Sequence, residues 1–459
     1  MGEININHGV TTSGVVRGQT LHVLNKTVDQ FLNIPFAEPP IKNLRFAKPI
    51  PLKTPIKGII DGTKPGKTCI QSGRLASYKR LSEDCLVLNI WTPNAGNNNT
   101  NKSQLKPVMF TIYGNPGLDT GTIFVMQSNG SYLTAHGVVV VAANYRLGQL
   151  GFLYGDREDA PGNVGFYDQL LALKWVRENI HSFGGDRDRI TIFGESAGSW
   201  SVSAHILSPL SKGLFKKAIM ESGSVMFGKG MEPISKSEAL VMAKNTAKHF
   251  NCSESEDWLQ CLRGVDAKEF PKYRASISIP EFNAQLGFRN INAQKVTDFY
   301  LKSVNTTDET ALRLAFYQFV SDMALNCPTY LFGQQFARNI ATQTQNVYFY
   351  ELTYGHRSTI ESFGYDPDSM AINHGIDTTY VFGIPLDVPW SFSDSDYEFS
   401  RYAMRLWTDF AKYGKADNNW PKFLTNNTFI MKDLNPMNTS RANPLGKPRL
   451  SPRSLSKVS

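Results

Sequence analysis

The stretch that most limits what this chain can fold into is Thr191-Ile192-Phe193-Gly194-Glu195-Ser196-Ala197-Gly198. A β-branched and aromatic run predicts a short buried strand, the glycines flanking Ser196 allow a sharp turn, and Ser201 to Leu207 continue as a helix. Strand, tight turn and helix in that order make a nucleophile elbow. The turn lifts the Ser196 hydroxyl above the sheet edge, and any side chain at the glycines would strike neighbouring backbone. Gly-x-Ser-x-Gly alone also arises in plain loops, so the strand and helix on either side carry the assignment.

The rest of the chain supplies the sheet that such an elbow needs. Gly14 to Arg17 and Thr20 to Val23 read as strands, and Pro39-Pro40 ends any regular element after Phe31 to Phe36. Leu86 to Thr92 reads as a strand entered from the acidic turn Ser82-Glu83-Asp84. Val108 to Tyr113 and Val138 to Asn144 are unbroken apolar runs, the pattern of central strands covered on both faces. Tyr167 to Asn179, Glu238 to Phe250, Ala311 to Met323 and Phe399 to Tyr413 have helical spacing, and Lys217 to Glu221 and Asn346 to Leu352 are further strands. Strand alternating with helix predicts an α/β fold on a parallel, doubly wound sheet. With 459 residues, 41% of them hydrophobic, the chain can bury so large a core. No linker interrupts the body, so a single domain over 1–438 is expected, followed by a basic, disordered tail over 439–459.

That tail explains the charge. Five of the eight excess positive charges are Arg441, Lys447, Arg449, Arg453 and Lys457, which leaves the body near +3 and gives no reason to expect a nucleic-acid partner. No stretch of 18 apolar residues is present, so no transmembrane segment is expected. The cysteine spacing fits neither a zinc site nor a redox pair, and neither a metal nor another cofactor is expected. Two close pairs, Cys69 with Cys85 and Cys252 with Cys261, suggest closed loops and leave Cys327 over. Asn-x-Ser/Thr sequons at Asn25, Asn98, Asn101, Asn129, Asn251, Asn305, Asn426 and Asn438 point with them to a secreted glycoprotein. Against that, Met1 to Val10 has neither a basic start nor an apolar core, so it is not a signal peptide, and a cytoplasmic location is the alternative.

In sequence order, NIPFAEPP, SEDCLVLNIWTP, ANYRLGQLGFL, APGNVGFYDQLLALKWVRENIHSFGGD, TIFGESAGSWSVSAHILSP and NHGIDTTYVFGIPL resemble the type-B carboxylesterase/cholinesterase family of α/β-hydrolases, over roughly Gly14 to Asp433. The resemblance implies a central, mostly parallel twisted sheet covered by helices on both faces, and a small carboxylic ester as substrate. It assigns His374, in Asn373-His374-Gly375, as the catalytic base that activates Ser196. The chemistry agrees: a serine hydroxyl is a poor nucleophile until a base takes its proton, and the order Ser then His fits α/β-hydrolases. Glu195 would act electrostatically in the pocket or be a buried, hydrogen-bonded carboxylate. Ser222 would be a supporting hydrogen-bonding position or a plain turn serine.

Two departures from the family pattern bear on activity. Where a glycine run should present amides to the developing oxyanion, the chain reads Tyr113-Gly114-Asn115-Pro116-Gly117, and Pro116 has no amide hydrogen. Asn115, Gly117 and Ala197 are the remaining candidate donors. Only 66 positions separate Cys261 from Cys327, so the segment that would carry the triad acid is expected to be missing near 282–292, and the acid is unknown. Glu281, Asp298 and Asp322 are the nearby carboxylates, each read as solvated or structural. The loop from Cys69 to Cys85 has no tryptophan on which a quaternary ammonium could rest, which favours a general carboxylesterase over a cholinesterase. The alternative is a catalytically impaired relative, an adhesion or binding protein with a protein partner, or a shortened isoform.

Overall fold

A computed structural model describes residues 8–72, 80–93, 95, 104–114, 118–226, 234–252, 257–274, 292–340, 345–362, 366–367, 372–436 and 442–444. The chain divides into two compact units: Met1–Ile219 with Pro233–Phe282, and Met220–Glu232 with Asn283–Ser459.

The first unit is built on seven strands: β1 (Gln19–Val23), β2 (Lys26–Pro35), β3 (Val87–Thr92), β4 (Lys106–Thr111), β5 (Val139–Ala143), β6 (Gly185–Glu195) and β7 (Lys217–Glu221). They lie in the order β7-β6-β4-β5-β3-β2-β1, and the division between the units falls within β7. The expected parallel arrangement is found over β5, β4 and β6, where Val139 pairs with Val108 and Ile190 with Val108. The other half is antiparallel, from β5 with β3 to β1 with β2. Between β1 and β2 the reason is local. Only Leu24 and Asn25 join β1 to β2, and both are left-handed (φ 49° and 58°), as a two-residue turn between twisted strands requires. Every residue of β5 and all of β4 but Lys106 are buried, as their apolar runs predict, and every residue of β3 is buried too.

Helix α1 (Val164–Asn179) is fixed to the loop after β5 by a buried ion pair. Arg146 donates from Nε and Nη2 to Asp168 at 2.9 and 2.7 Å, and its backbone N–H also donates to Asp168, at 2.9 Å. Helix α2 (Ala197–Leu207) follows Ser196 directly, several residues before the helix legible in sequence, because Ala197-Gly198-Ser199 carries no apolar repeat. Helices α3 (Lys236–His249) and α4 (Trp258–Gly264) close a smaller core around Phe46, Ile70, Leu259 and Phe270. Cys252 bonds to Cys261 beside it, and Cys69 bonds to Cys85. The acidic turn also gains a role. Glu83 takes both Nε and Nη2 of Arg45 at 2.6 Å, while Arg45 Nη1 donates to the carbonyls of Leu262 and Val265 on and after α4.

The second unit contains α5 (Glu309–Ser321), α6 (Cys327–Asn339), α7 (Ile376–Val381) and α8 (Asp394–Tyr413), with strands β8 (Tyr350–Leu352), β9 (Leu424–Thr425) and β10 (Thr428–Leu434). The ladder of β8 is shorter than the expected Asn346 to Leu352. Its predecessors bond irregularly instead, Val347 and Phe349 accepting from Phe423 and Lys432. Rings of Tyr330, Phe349, Phe423 and Phe429 pack between β8, β10 and α6. Within residues 439–459, Ala442–Pro444 forms β11, antiparallel to β10, whose open edge offers it a ladder. Among the described residues no helix is long and apolar enough to cross a membrane.

Candidate active site

Ser196 stands between β6 and α2 with φ 57° and ψ −123°, a backbone that side-chain-bearing residues rarely adopt. The surrounding glycines show what holds it there. A Cβ at Gly198 or Gly194 would lie 2.0 or 2.4 Å from the carbonyl oxygen of Ile112, so the elbow can be pressed against the end of β4 only with hydrogen at both positions. A Cβ at Gly114 would lie 2.0 Å from the Glu195 oxygen and 2.9 Å from the Ala197 nitrogen. Gly114 thus closes directly on the first amides of α2. Amides in a helix's first turn have no acceptor within the helix, and the Trp200 N–H closes the first turn onto the Ser196 carbonyl at 3.0 Å. Ala197 is buried, whereas Ser196 and Glu195 are half-buried. Asn115 and Gly117, the other candidate amides, and Pro116 lie outside the described residues, as does Glu281.

The end of β4 is locked by a pair that sequence reasoning missed. Tyr113 and Tyr145 stack with ring centroids 4.4 Å apart, and each hydroxyl donates to the other's backbone carbonyl, at 3.2 and 2.7 Å. Burial pushes both phenols far above their ordinary range, so they remain neutral donors. The signal was present, since Tyr145 belongs to ANYRLGQLGFL, but nothing in that string names its partner 32 residues earlier.

In the second unit, His374 sits in the turn before α7, where Gly375 takes φ 83° to start the helix. His374 keeps much of its surface exposed, yet the protein packed around its ring draws its pKa below the usual 6.5, because desolvation penalises the imidazolium. Ser222, just after β7, is half-buried with φ 56°, another side-chain-bearing residue in left-handed backbone. Beside it lies a buried acid pair that was not anticipated. Glu221 accepts from Trp407 Nε1 at 2.8 Å, and Asp377, in the first turn of α7, accepts from the Tyr350 hydroxyl at 3.2 Å and from the Thr378 amide at 3.1 Å. Burial first, and then the charge of Asp377, push Glu221 well above the carboxylate range, and burial raises Asp377 to about 6. With two donors against one, Asp377 is the better-supported anion and Glu221 the neutral acid. Asp377 falls inside NHGIDTTY, but its burial is visible only once α7 is placed.

Neither described carboxylate near the expected break has the surroundings of a catalytic acid. Asp322 is buried and takes three donors, Gln318, Asn326 and Tyr300. Asp298 is exposed and takes Gln294. Cys327 is a free, half-buried thiol, pushed up to about 11 by burial and by Asp322.

A serine at a left-handed turn between a central strand and a helix defines the α/β-hydrolase class. The model of the carboxylesterase family matches residues 6–288 and 273–446, and the chain belongs to that family, the type-B carboxylesterases and cholinesterases. It is 32% identical to a cholinesterase of Mus musculus, over 91% of this chain and 83% of that one. It is 32% identical to the pyrethroid hydrolase Ces2e of Rattus norvegicus, over 93% and 86%. With an acetylcholinesterase of Leptinotarsa decemlineata the identity is 30%, over 90% and 80%. That last alignment spans 519 positions, more than this chain's 459 residues, so the relative carries stretches this chain lacks.

Proposed function

We propose that the chain is a serine hydrolase that cleaves small carboxylic esters through an acyl-enzyme on Ser196. His374 takes the Oγ proton as Oγ bonds to the ester carbonyl carbon, and passes it to the departing alcohol as the C–O bond breaks. Water then repeats the sequence on the acyl-enzyme and releases the acid. The Ala197 amide, with Asn115 and Gly117, would meet the developing oxyanion, and Pro116 would weaken that site by removing one donor, a loss of about 100-fold or more in turnover. Glu195 would lend negative potential beside the nucleophile, and Ser222 would support the site by hydrogen bonding. The observation that carries this reading is the strained backbone of Ser196 in its glycine cradle, since strain of this kind persists where function uses it.

A second reading has its own observation. The family match breaks into two pieces that meet at residues 273–288, which supports a missing segment near 282–292 and, with it, an absent triad acid and an impaired, ligand-binding or shortened form. Losing the orienting acid costs on the order of 10⁴ in turnover in the best-studied triad, and such losses do not simply multiply with a weakened oxyanion site. Secretion and glycosylation are proposed from the two disulfides and from the exposed sequons at Asn25, Asn251, Asn305 and Asn426. Treatment with a fluorophosphonate followed by peptide mass mapping separates the readings. Label on Ser196 is expected, and a native protein that takes none would leave the binding form as the better account.

A further inference from the structure

A chain of buried side chains runs from the elbow helix to the loop beyond it, and no step of the proposed chemistry uses it. Ser201 Oγ donates to the Ala197 carbonyl at 3.0 Å, and Gln169 Nε2 donates to Ser201 Oγ at 3.1 Å. Gln169 Oε1 lies 3.0 Å from His205 Nε2, and His205 Nδ1 lies 2.8 Å from Ser211 Oγ. None of the four side-chain bearers, Gln169, Ser201, His205 and Ser211, is more than 5% exposed.

The directions of these bonds are fixed by what each atom can do. An amide oxygen only accepts, so His205 carries its hydrogen on Nε2, which leaves Nδ1 to accept from the Ser211 hydroxyl. Protons therefore point one way throughout, from Ser211 to His205, to Gln169, to Ser201 and finally to the Ala197 carbonyl. Burial favours the same tautomer over the imidazolium, drawing His205 down to about 4. The middle of the chain is also anchored: Gln169 follows Asp168, which is bolted to Arg146 in the loop after β5.

We propose that Gln169, His205 and Ser211 act through Ser201 as positioning residues for ester hydrolysis, holding the Ala197–Gly198 peptide plane so that the first amides of α2 stay aimed at the reacting oxygen. Two features make this more than helix packing. The chain ends on the carbonyl of the residue whose amide is the proposed donor, and the adjoining Ser196 is strained, so an unheld first turn would relax away from the geometry the chemistry needs. The role rests on the reading of Ser196 as nucleophile and Ala197 as donor.

The test compares native protein with Ser201→Ala, His205→Ala and His205→Gln, reading the rate of fluorophosphonate labelling at Ser196 and kcat and KM for an aryl acetate. Ser201→Ala and His205→Ala should lower the labelling rate and kcat by about 10- to 100-fold with KM little changed, the size of effect a small misplacement of reacting groups produces. His205→Gln keeps a donor toward Gln169 and should recover most of the lost rate. If His205→Ala does not fold, Ser201→Ala decides, since alanine suits a buried helical position. A Ser201→Ala protein that melts lower but labels at the native rate makes the chain purely structural and overturns the proposal alone. A native protein that takes no label at all overturns the reading of Ser196 and this proposal with it.

Discussion

Ser196 shows at the scale of one residue how a fold stores what a reaction uses. Its φ of 57° costs about 1–3 kcal/mol for a residue with a side chain, whereas glycine adopts such backbone freely but gives back about 0.5–1 kcal/mol in lost chain entropy. Ser196→Gly should therefore raise thermal stability by about 1 kcal/mol while abolishing any ester cleavage at the elbow; an unchanged or lower melting temperature would mean the cradle imposes no strain. His205 offers a second single-residue test through pH. Its imidazole is neutral when folded and titrates near 4, against 6.5 in the unfolded chain, so the unfolded state binds more protons between those values. Its contribution is full above pH 6.5 and is lost as pH falls to about 4, a change of about 3 kcal/mol. Urea melts at pH 7 and pH 4.5 should show His205→Gln losing less stability on acidification than the native protein, and equal losses would contradict the buried neutral ring. The elbow serine was legible because three glycine and serine positions announce it; the histidine behind it was not, because HILSP carries no sign of burial or of Gln169.

Among elements, the seven-stranded sheet and its first helix were largely readable, and the limits are instructive. β4 and β5 declared themselves through unbroken apolar runs, and their burial on both faces follows. The antiparallel pairing of β1 with β2 was not foreseen because the Leu24-Asn25 turn lacks the glycine that usually marks such hairpins. What fastens α1 to the sheet is the Arg146–Asp168 pair, with side chains 4% and 0% exposed. Asp168→Ala leaves a guanidinium buried without its partner and should destabilise the protein by about 3–5 kcal/mol in denaturant titrations. A loss under 1 kcal/mol would mean that water reaches Arg146 and that α1 is held by packing alone.

Over the whole molecule, the ordered motifs made the family legible from Gly14 to Asp433, and the family match over 6–288 and 273–446 agrees with that span. The buried Glu221–Asp377 pair was hidden because its members are contributed by β7 and α7, with Tyr350 and Trp407 brought from two further elements, and sequence spacing carries no information about such a meeting. The central claim is that this chain cleaves esters with Ser196. It is tested most directly by steady-state hydrolysis of an aryl acetate by the native protein and by Ser196→Ala, with matched folding confirmed by melting. The account predicts slow turnover by the native protein and none above background by the variant. Equal rates from both proteins would contradict nucleophilic catalysis at the elbow.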